Sequence, residues 1–224
     1  MIKLVIFDMA GTAVDEKNIV YKTIFSSLLT HGYQVDSSEV LKHCAGKEKW
    51  IAIKNVMDAK GYQTSDDIVD AVYETFIKRL NIAYETGDIS LFKGMNNLLN
   101  ELKDRDVRVA FNTGYSKVMA ELVLRKTGTK VGEDIDLLIT SDDVDNGRPA
   151  PDMILKACKN LNIDPNQTLK IGDSIIDIKE GKAAAVALTV GITTGAHNAS
   201  QLLTAEPDHV IDDIETLLDI VVQH

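Results

Sequence analysis

Ile2 to Phe7 is a short apolar run closed by Asp8 and Gly11, the pattern of a strand buried on both faces that feeds a tight loop. The same signature returns at Val107 to Asn112, Asp136 to Thr140, Thr168 to Ile171 and Val186 to Val190, each preceded by a helical stretch, and Asp208 to Ile211 adds a last short strand. Between them, Leu98, Leu99 and Leu102, and then Met119, Leu122 and Val123, recur with the 3.6-residue period of a helix that buries one face. Strand and helix in alternation predict an α/β fold, a doubly wound, Rossmann-like parallel sheet.

Residues 16–91 break this rhythm. They contain no clear strand and read as three or four helices. Ile68, Val69, Val72, Tyr73, Phe76, Ile77 and Leu80 mark one helix face, while Gly32 and Gly61 stand where helices should stop. The expected organisation is therefore a core of residues 1–15 and 92–224, with residues 16–91 inserted as a helical cap over the active edge of the sheet. The crossings near Asp15 and Ser90 are the expected hinges.

Composition narrows the partners. A formal net charge of -10 argues against a nucleic-acid or anionic-membrane footprint, because those partners require clustered Lys and Arg. No apolar run approaches the length of a membrane span. The two cysteines, Cys44 and Cys158, have neither CxxC nor metal-ligand spacing, so neither a disulfide framework nor a zinc site is predicted. With no signal-peptide pattern ahead of the first strand, a cytoplasmic location is the expectation. Monomer and homodimer are both compatible with the sequence.

In open parallel sheets ligands bind beyond the carboxyl ends of the strands, near the point where strand order reverses. Here those ends carry Asp8-Met9-Ala10-Gly11-Thr12, Asn112-Thr113-Gly114-Tyr115, Gly147-Arg148-Pro149 and Gly172-Asp173-Ser174-Ile175-Ile176-Asp177. Together they supply a nucleophile, a hydroxyl, a cation and paired carboxylates. A strand-end carboxylate can attack phosphorus and form an acyl phosphate, which divides one displacement into two easier ones; Asp8 is the candidate. Because nucleophile and phosphoryl group are both anionic, a divalent cation is needed between them, and Asp173 offers the hard oxygen that suits Mg²⁺.

This order and spacing resembles the haloacid dehalogenase superfamily. The resemblance implies that Asp8, the Ala10 carbonyl and Asp173 hold Mg²⁺, with Asp177 holding the metal's waters or orienting its neighbours. It further implies that Thr113 and Arg148 bind phosphoryl oxygens while Gly11 and Gly114 let backbone N–H groups approach. Most superfamily phosphatases carry a second Asp two positions after the nucleophile, where this chain has Ala10, and a later Lys where it has Arg148. Ala10-Gly11-Thr12, Tyr115 after Thr113-Gly114, and Arg148 resemble the phosphonoacetaldehyde hydrolase branch, with Thr12 and Tyr115 on the substrate side. In the insertion, Gly46-Lys47-Glu48-Lys49 resembles that branch's loop, whose Lys three residues after Gly forms a Schiff base with the substrate aldehyde; this makes Lys49 the candidate, ahead of Lys47. The branch's Met before that Gly is Ala45 here, and its His three residues after the Lys is Ala52.

The leading expectation is a Mg²⁺-dependent hydrolase of a small phosphonylated or phosphorylated metabolite, acting through an aspartyl phosphate. A phosphoglycolate-type phosphomonoester phosphatase is the alternative within the same class, and a non-catalytic phosphometabolite sensor the alternative outside it. A metal-free haloacid dehalogenase also lacks the second Asp, but the Asp173 and Asp177 pair counts against it. Trp50 and Met57 read as core, and Asp142, Asp143 and Asp145 as a solvated turn.

Overall fold

The computed structural model describes residues 1–45 and 47–224. Gly46, the first residue of the proposed imine loop, lies outside them. Six parallel strands form the main sheet: β1 (Leu4–Asp8), β4 (Arg108–Thr113), β5 (Leu137–Thr140), β6 (Thr168–Gly172), β7 (Leu188–Ile192) and β8 (His209–Ile211). Their spatial order is β5-β4-β1-β6-β7-β8, so the chain winds outward from β1 first to one side and then to the other. The switch point therefore lies beside β1. Each strand falls within about two residues of the apolar run that predicts it.

Alternation along β1 explains why the sheet is buried on both faces. Leu4 and Ile6 join Ala110, Ile139, Ile154 and Ala157 on one face, while Val5 and Phe7 join Phe111, Leu98, Leu102 and Val123 on the other. Helices α5 (Met95–Lys103), α6 (Lys117–Thr127) and α10 (Leu217–Gln223) contribute to the second face, and α7 (Asp152–Leu161) covers the first. Helix α8 (Ile175–Ala183) packs on β6 and β7, and α9 (Ala199–Leu203) lies beside β7 and β8.

Between β1 and β4 the chain leaves for four helices, α1 (Ile19–Thr30), α2 (Ser37–Cys44), α3 (Lys49–Ala59) and α4 (Asp66–Thr86). Gly32 and Gly61 each follow the residue that caps the end of their helix, His31 after α1 and Lys60 after α3. Helix α4 starts with Asp66 and Asp67, which favour a helix N-terminus, and buries Val69, Val72, Phe76, Leu80 and Tyr84. That stripe continues one turn past the face read from sequence, and its last member reaches the site described below. One expectation is corrected. The segment does contain strand structure, because β2 (Val14–Asp15) pairs antiparallel with β3 (Ser90–Leu91). Two residues per strand are too few for a periodic signal, but the pairing ties the two crossings into one ribbon.

Candidate active site

Parallel register brings the strand ends level: Asp8 lies opposite Asn112, Thr113 opposite Thr140, and Gly172 opposite Gly191. Above this edge is a small cavity of about 30 Å³. From the core it is lined by Asp8, Ala10, Thr113, Gly114, Tyr115, Arg148, Asp173 and Asp177, and from residues 16–91 by Glu16, Val20, Tyr21 and Lys49. Nine of the residues singled out in the sequence thus line one cavity. Gly11 and Thr12 do not.

The turn after Asp8 is held by its own backbone. Val14 N–H donates to the Met9 carbonyl at 2.7 Å, and Gly11 N–H donates to the Val14 carbonyl at 2.9 Å. The Gly11 amide is therefore committed inside the turn. What demands glycine here is a φ of +85° together with crowding, since a Cβ would stand 2.5 Å from Asp173 Oδ2. Thr12 is fully buried, and its hydroxyl has no partner.

Beneath the cavity floor lies an ion network. Arg148, its side chain 3% exposed, donates to Asp8 Oδ1 at 2.5 Å and to both the carbonyl and the side-chain oxygen of Asn112 at 2.8 and 2.6 Å. It also lies 3.0 Å from Asp177 and 2.9 Å from Glu180. A second cation, Lys170, is wholly buried on β6 and reaches Asn112 Oδ1 at 2.7 Å and Asp177 at 3.1 Å. Asp177 has a second task, because its other oxygen accepts from the Ser174 hydroxyl at 2.6 Å in a capping box that starts α8. Burial opposes its ionisation, but Arg148 and Lys170 hold Asp177 down at about 2.

Asp8 and Asp173 are placed differently. Burial pushes the Asp8 carboxyl up against the pull of Arg148, and it pushes Asp173 well up, helped by repulsion from Asp8 and Asp177. Asp173 Oδ2 accepts from Ala196 N–H at 2.6 Å, and a Cβ on Gly195 would stand only 2.0 Å from that oxygen. The loop after β7 thus clasps Asp173, a feature the sequence reading did not identify. Ligand atoms of Asp8, Asp173 and Asp177 lie within 4.8 Å of one another. Across the whole network four buried carboxylates, with Glu180 as the fourth, face two buried cations. An excess of two negative charges among oxygen donors fits a hard divalent cation such as Mg²⁺.

The wall opposite has another character. Lys49 Nζ donates to the Lys47 carbonyl at 2.8 Å and stands 5.7 Å over the ring of Tyr115. Burial pushes its amine down, against Cys44, Asp8 and Glu16. Three groups on this side were not read from sequence: Glu16, Tyr21 and Tyr84. The Tyr84 hydroxyl donates to Glu16, and the Tyr115 hydroxyl lies 3.2 Å from the same carboxylate oxygen. Lys170, Glu180 and Asn112 were likewise unassigned. Their roles depend on side chains from separate elements meeting beneath the sheet edge, which no local spacing reveals. Met57 is buried core, and Trp50 packs against that core while donating to Asp70 at 2.6 Å. Asp143 caps the turn after β5, and Asp142 accepts from Lys117 N–H at 2.8 Å.

The chain is similar to known proteins over nearly its whole length. A phosphonoacetaldehyde hydrolase of Latilactobacillus sakei subsp. sakei (strain 23K) is 29% identical over 221 residues, covering 94% of this chain and 81% of the relative. Among solved structures, a phosphonoacetaldehyde hydrolase like protein from Oleispira antarctica superposes with a TM-score of 0.86 at 22% identity, covering 99% of this chain and 92% of the other. A predicted phosphoglycolate phosphatase from Haemophilus somnus superposes with a TM-score of 0.82 at 19% identity, covering 98% and 97%; at such identities the two structures speak for the fold. Among the described residues no helix is long and apolar enough to cross a membrane. The family model for haloacid dehalogenase-like hydrolases matches residues 5–190, and with the strand-end carboxylates standing together on this fold, the chain belongs to that family of hydrolases.

Proposed function

We propose that this hydrolase cleaves the carbon–phosphorus bond of a small phosphonylated aldehyde, with Asp8 as nucleophile and Lys49 as the amine that activates the aldehyde carbon. The single observation that carries this reading is that Lys49 and Asp8 line the same cavity. An amine desolvated there favours the neutral, nucleophilic form, as imine formation requires.

In this reading Thr113 and Gly114 receive the phosphoryl oxygens, Arg148, whose guanidinium is engaged by Asp8, Asn112, Asp177 and Glu180, orients the nucleophile from below, and Tyr115 flanks the substrate carbon chain. Asp8, the Ala10 carbonyl and Asp173 would hold Mg²⁺, with Asp177 supporting them through the ion network. When bound, the ion would offset the repulsion between two anions and stabilise charge that develops on the phosphoryl group. The Lys49 amine adds to the aldehyde and loses water to give an iminium. Attack of Asp8 on phosphorus then breaks the carbon–phosphorus bond, and its electron pair moves into an enamine, so no alkoxide has to leave. Hydrolysis of the aspartyl phosphate releases phosphate.

A cavity of about 30 Å³ has room for little more than a water molecule. Substrate entry therefore requires residues 16–91 to swing as a cap, with the β2–β3 ribbon as the hinge, and reclosure excludes water from the iminium. The test is a panel of phosphonates and phosphate esters assayed for phosphate release with Mg²⁺ and with excess chelator. Selective release from phosphonoacetaldehyde, lost on chelation, is the expected result. Preference for small phosphate esters such as phosphoglycolate would overturn the carbon–phosphorus assignment while leaving Asp8 in place.

A further inference from the structure

Glu16 is the first residue after β2, yet its side chain turns into the molecule. It is 4% exposed and forms part of the cavity wall shared by Asp8 and Lys49. A carboxyl buried this far requires partners, and they come from two distant elements. Tyr84, on the last turns of α4, donates its hydroxyl to Glu16 Oε2; Tyr115, after β4, places its hydroxyl 3.2 Å from that oxygen and 2.8 Å from the Tyr84 hydroxyl. The remaining groups that face it are Lys49 from α3, and Tyr21 and the Val20 amide from α1. Neighbouring Asp15 and Lys17 pair with each other at the surface.

Among the described residues that line the cavity, no other acid is free for proton work. Asp177 is held by Arg148 and Lys170, Asp173 is clasped by the loop after β7, and Asp8 is the nucleophile of the proposed reaction. Met9, Ala10 and Gly11 carry no titratable side chain.

We propose that Glu16 is a catalytic acid and base of this site, protonating the carbon released from phosphorus and then activating the water that frees the product from Lys49. The step rests on the imine reading above. When the carbon–phosphorus bond breaks, its electron pair forms the enamine. The Glu16 carboxyl gives its proton to the enamine carbon, which restores an iminium and leaves Glu16 as carboxylate. That carboxylate removes a proton from the water adding to the iminium carbon. Glu16 is thereby returned to its acid form, and breaking of the carbon–nitrogen bond releases the aldehyde and the Lys49 amine. Burial pushes Glu16 up to about 7, partly offset by Tyr84, Lys49 and Tyr115, so both forms are accessible at neutral pH.

The experiment compares wild type with Glu16→Gln in Mg²⁺ and phosphonoacetaldehyde, reading borohydride-trapped adduct on Lys49 by mass spectrometry and turnover across pH. The expected result is that both proteins give the adduct, which also shows that the variant folds and closes. Turnover by the variant should be about 100-fold lower, and the fall in wild-type turnover as pH rises through about 7 should be missing from it. Turnover of the variant within about twofold of wild type at every pH, with adduct present, would overturn the role of Glu16 alone. Loss of the adduct only from the variant would also overturn it, by assigning Glu16 to building the pocket. Absence of the adduct from wild type would overturn the imine reading itself.

Discussion

The two walls of the cavity are built on opposite principles. On the core side Arg148, Lys170, Asp177 and Glu180 compensate one another at 2.9 to 3.6 Å, fully buried and tied to Asn112. On the side of residues 16–91 there is one amine, one carboxyl and two tyrosines, Tyr21 and Tyr84, with Tyr115 joining from the core, and hydrogen bonds rather than ion pairs link Tyr84 and Tyr115 to Glu16. The first arrangement holds charges fixed, as phosphoryl transfer needs. The second desolvates its groups towards their neutral forms, raising the Glu16 carboxyl to about 7 and lowering the Lys49 amine, as proton transfer and imine chemistry need. On the proposed reading, the core sets the reaction at phosphorus and the insertion sets what is attached to it.

The largest effect should follow from Asp8→Asn. The change is nearly isosteric, and an amide is a poor nucleophile, so turnover should fall by about 10⁴-fold or more. Circular dichroism should be unchanged, and a beryllium fluoride adduct on position 8 should form only in wild type. Activity close to wild type would show that the core wall does not supply the nucleophile.

Lys170→Met probes the fixed charges. It removes one of the two cations facing Asp177 and Glu180 at no great change in volume, and leaving buried carboxylates undercompensated should cost about 3–5 kcal/mol in urea unfolding. A loss below about 1 kcal/mol, the usual worth of an exposed pair, would mean that the network is far better solvated than its burial implies.

Glu16 sharpens the opposite wall through pH. Its folded value is raised from 4.5 to about 7, so the fold favours the neutral acid. The associated stability is fully present below about 4.5 and is lost as pH rises through about 7. Relative to wild type, Glu16→Gln should therefore gain about 3 kcal/mol between pH 4 and pH 8. Chemical denaturation of both proteins at the two pH values gives this difference; a gap independent of pH would mean that folding does not move Glu16 from its ordinary value.

The smallest effect belongs to the insertion away from the cavity. Trp50→Phe keeps the ring in its partly buried place but loses the bond to Asp70. It should lower stability by about 1 kcal/mol and leave turnover nearly unchanged. A large loss of turnover would place Trp50 in the substrate path.

Much of this was legible before any coordinates. The apolar runs ending at Asp8, Asn112 and Ile171 fixed the strands and thus the level at which their final residues meet, because parallel register leaves little freedom in where those residues lie. Lys49 was found by resemblance and lies in the cavity with Asp8. Lys170 and Glu180 drew no assignment from sequence, because their burial depends on charges that arrive from different elements: Glu180 faces both Arg148 and Lys170. Glu16 and Tyr84 stand 68 residues apart in sequence, and no local periodicity links them. Gly11 was assigned to the phosphoryl group, whereas its amide is spent within its own turn and its missing Cβ makes room for Asp173.

The central claim is that Lys49 does chemistry rather than merely covering the core. Borohydride reduction of wild type with phosphonoacetaldehyde, followed by peptide mass spectrometry, addresses it directly. The account predicts a two-carbon adduct on Lys49 and loss of both adduct and phosphate release in Lys49→Ala. An unmodified Lys49, with phosphate release intact in Lys49→Ala, would contradict it.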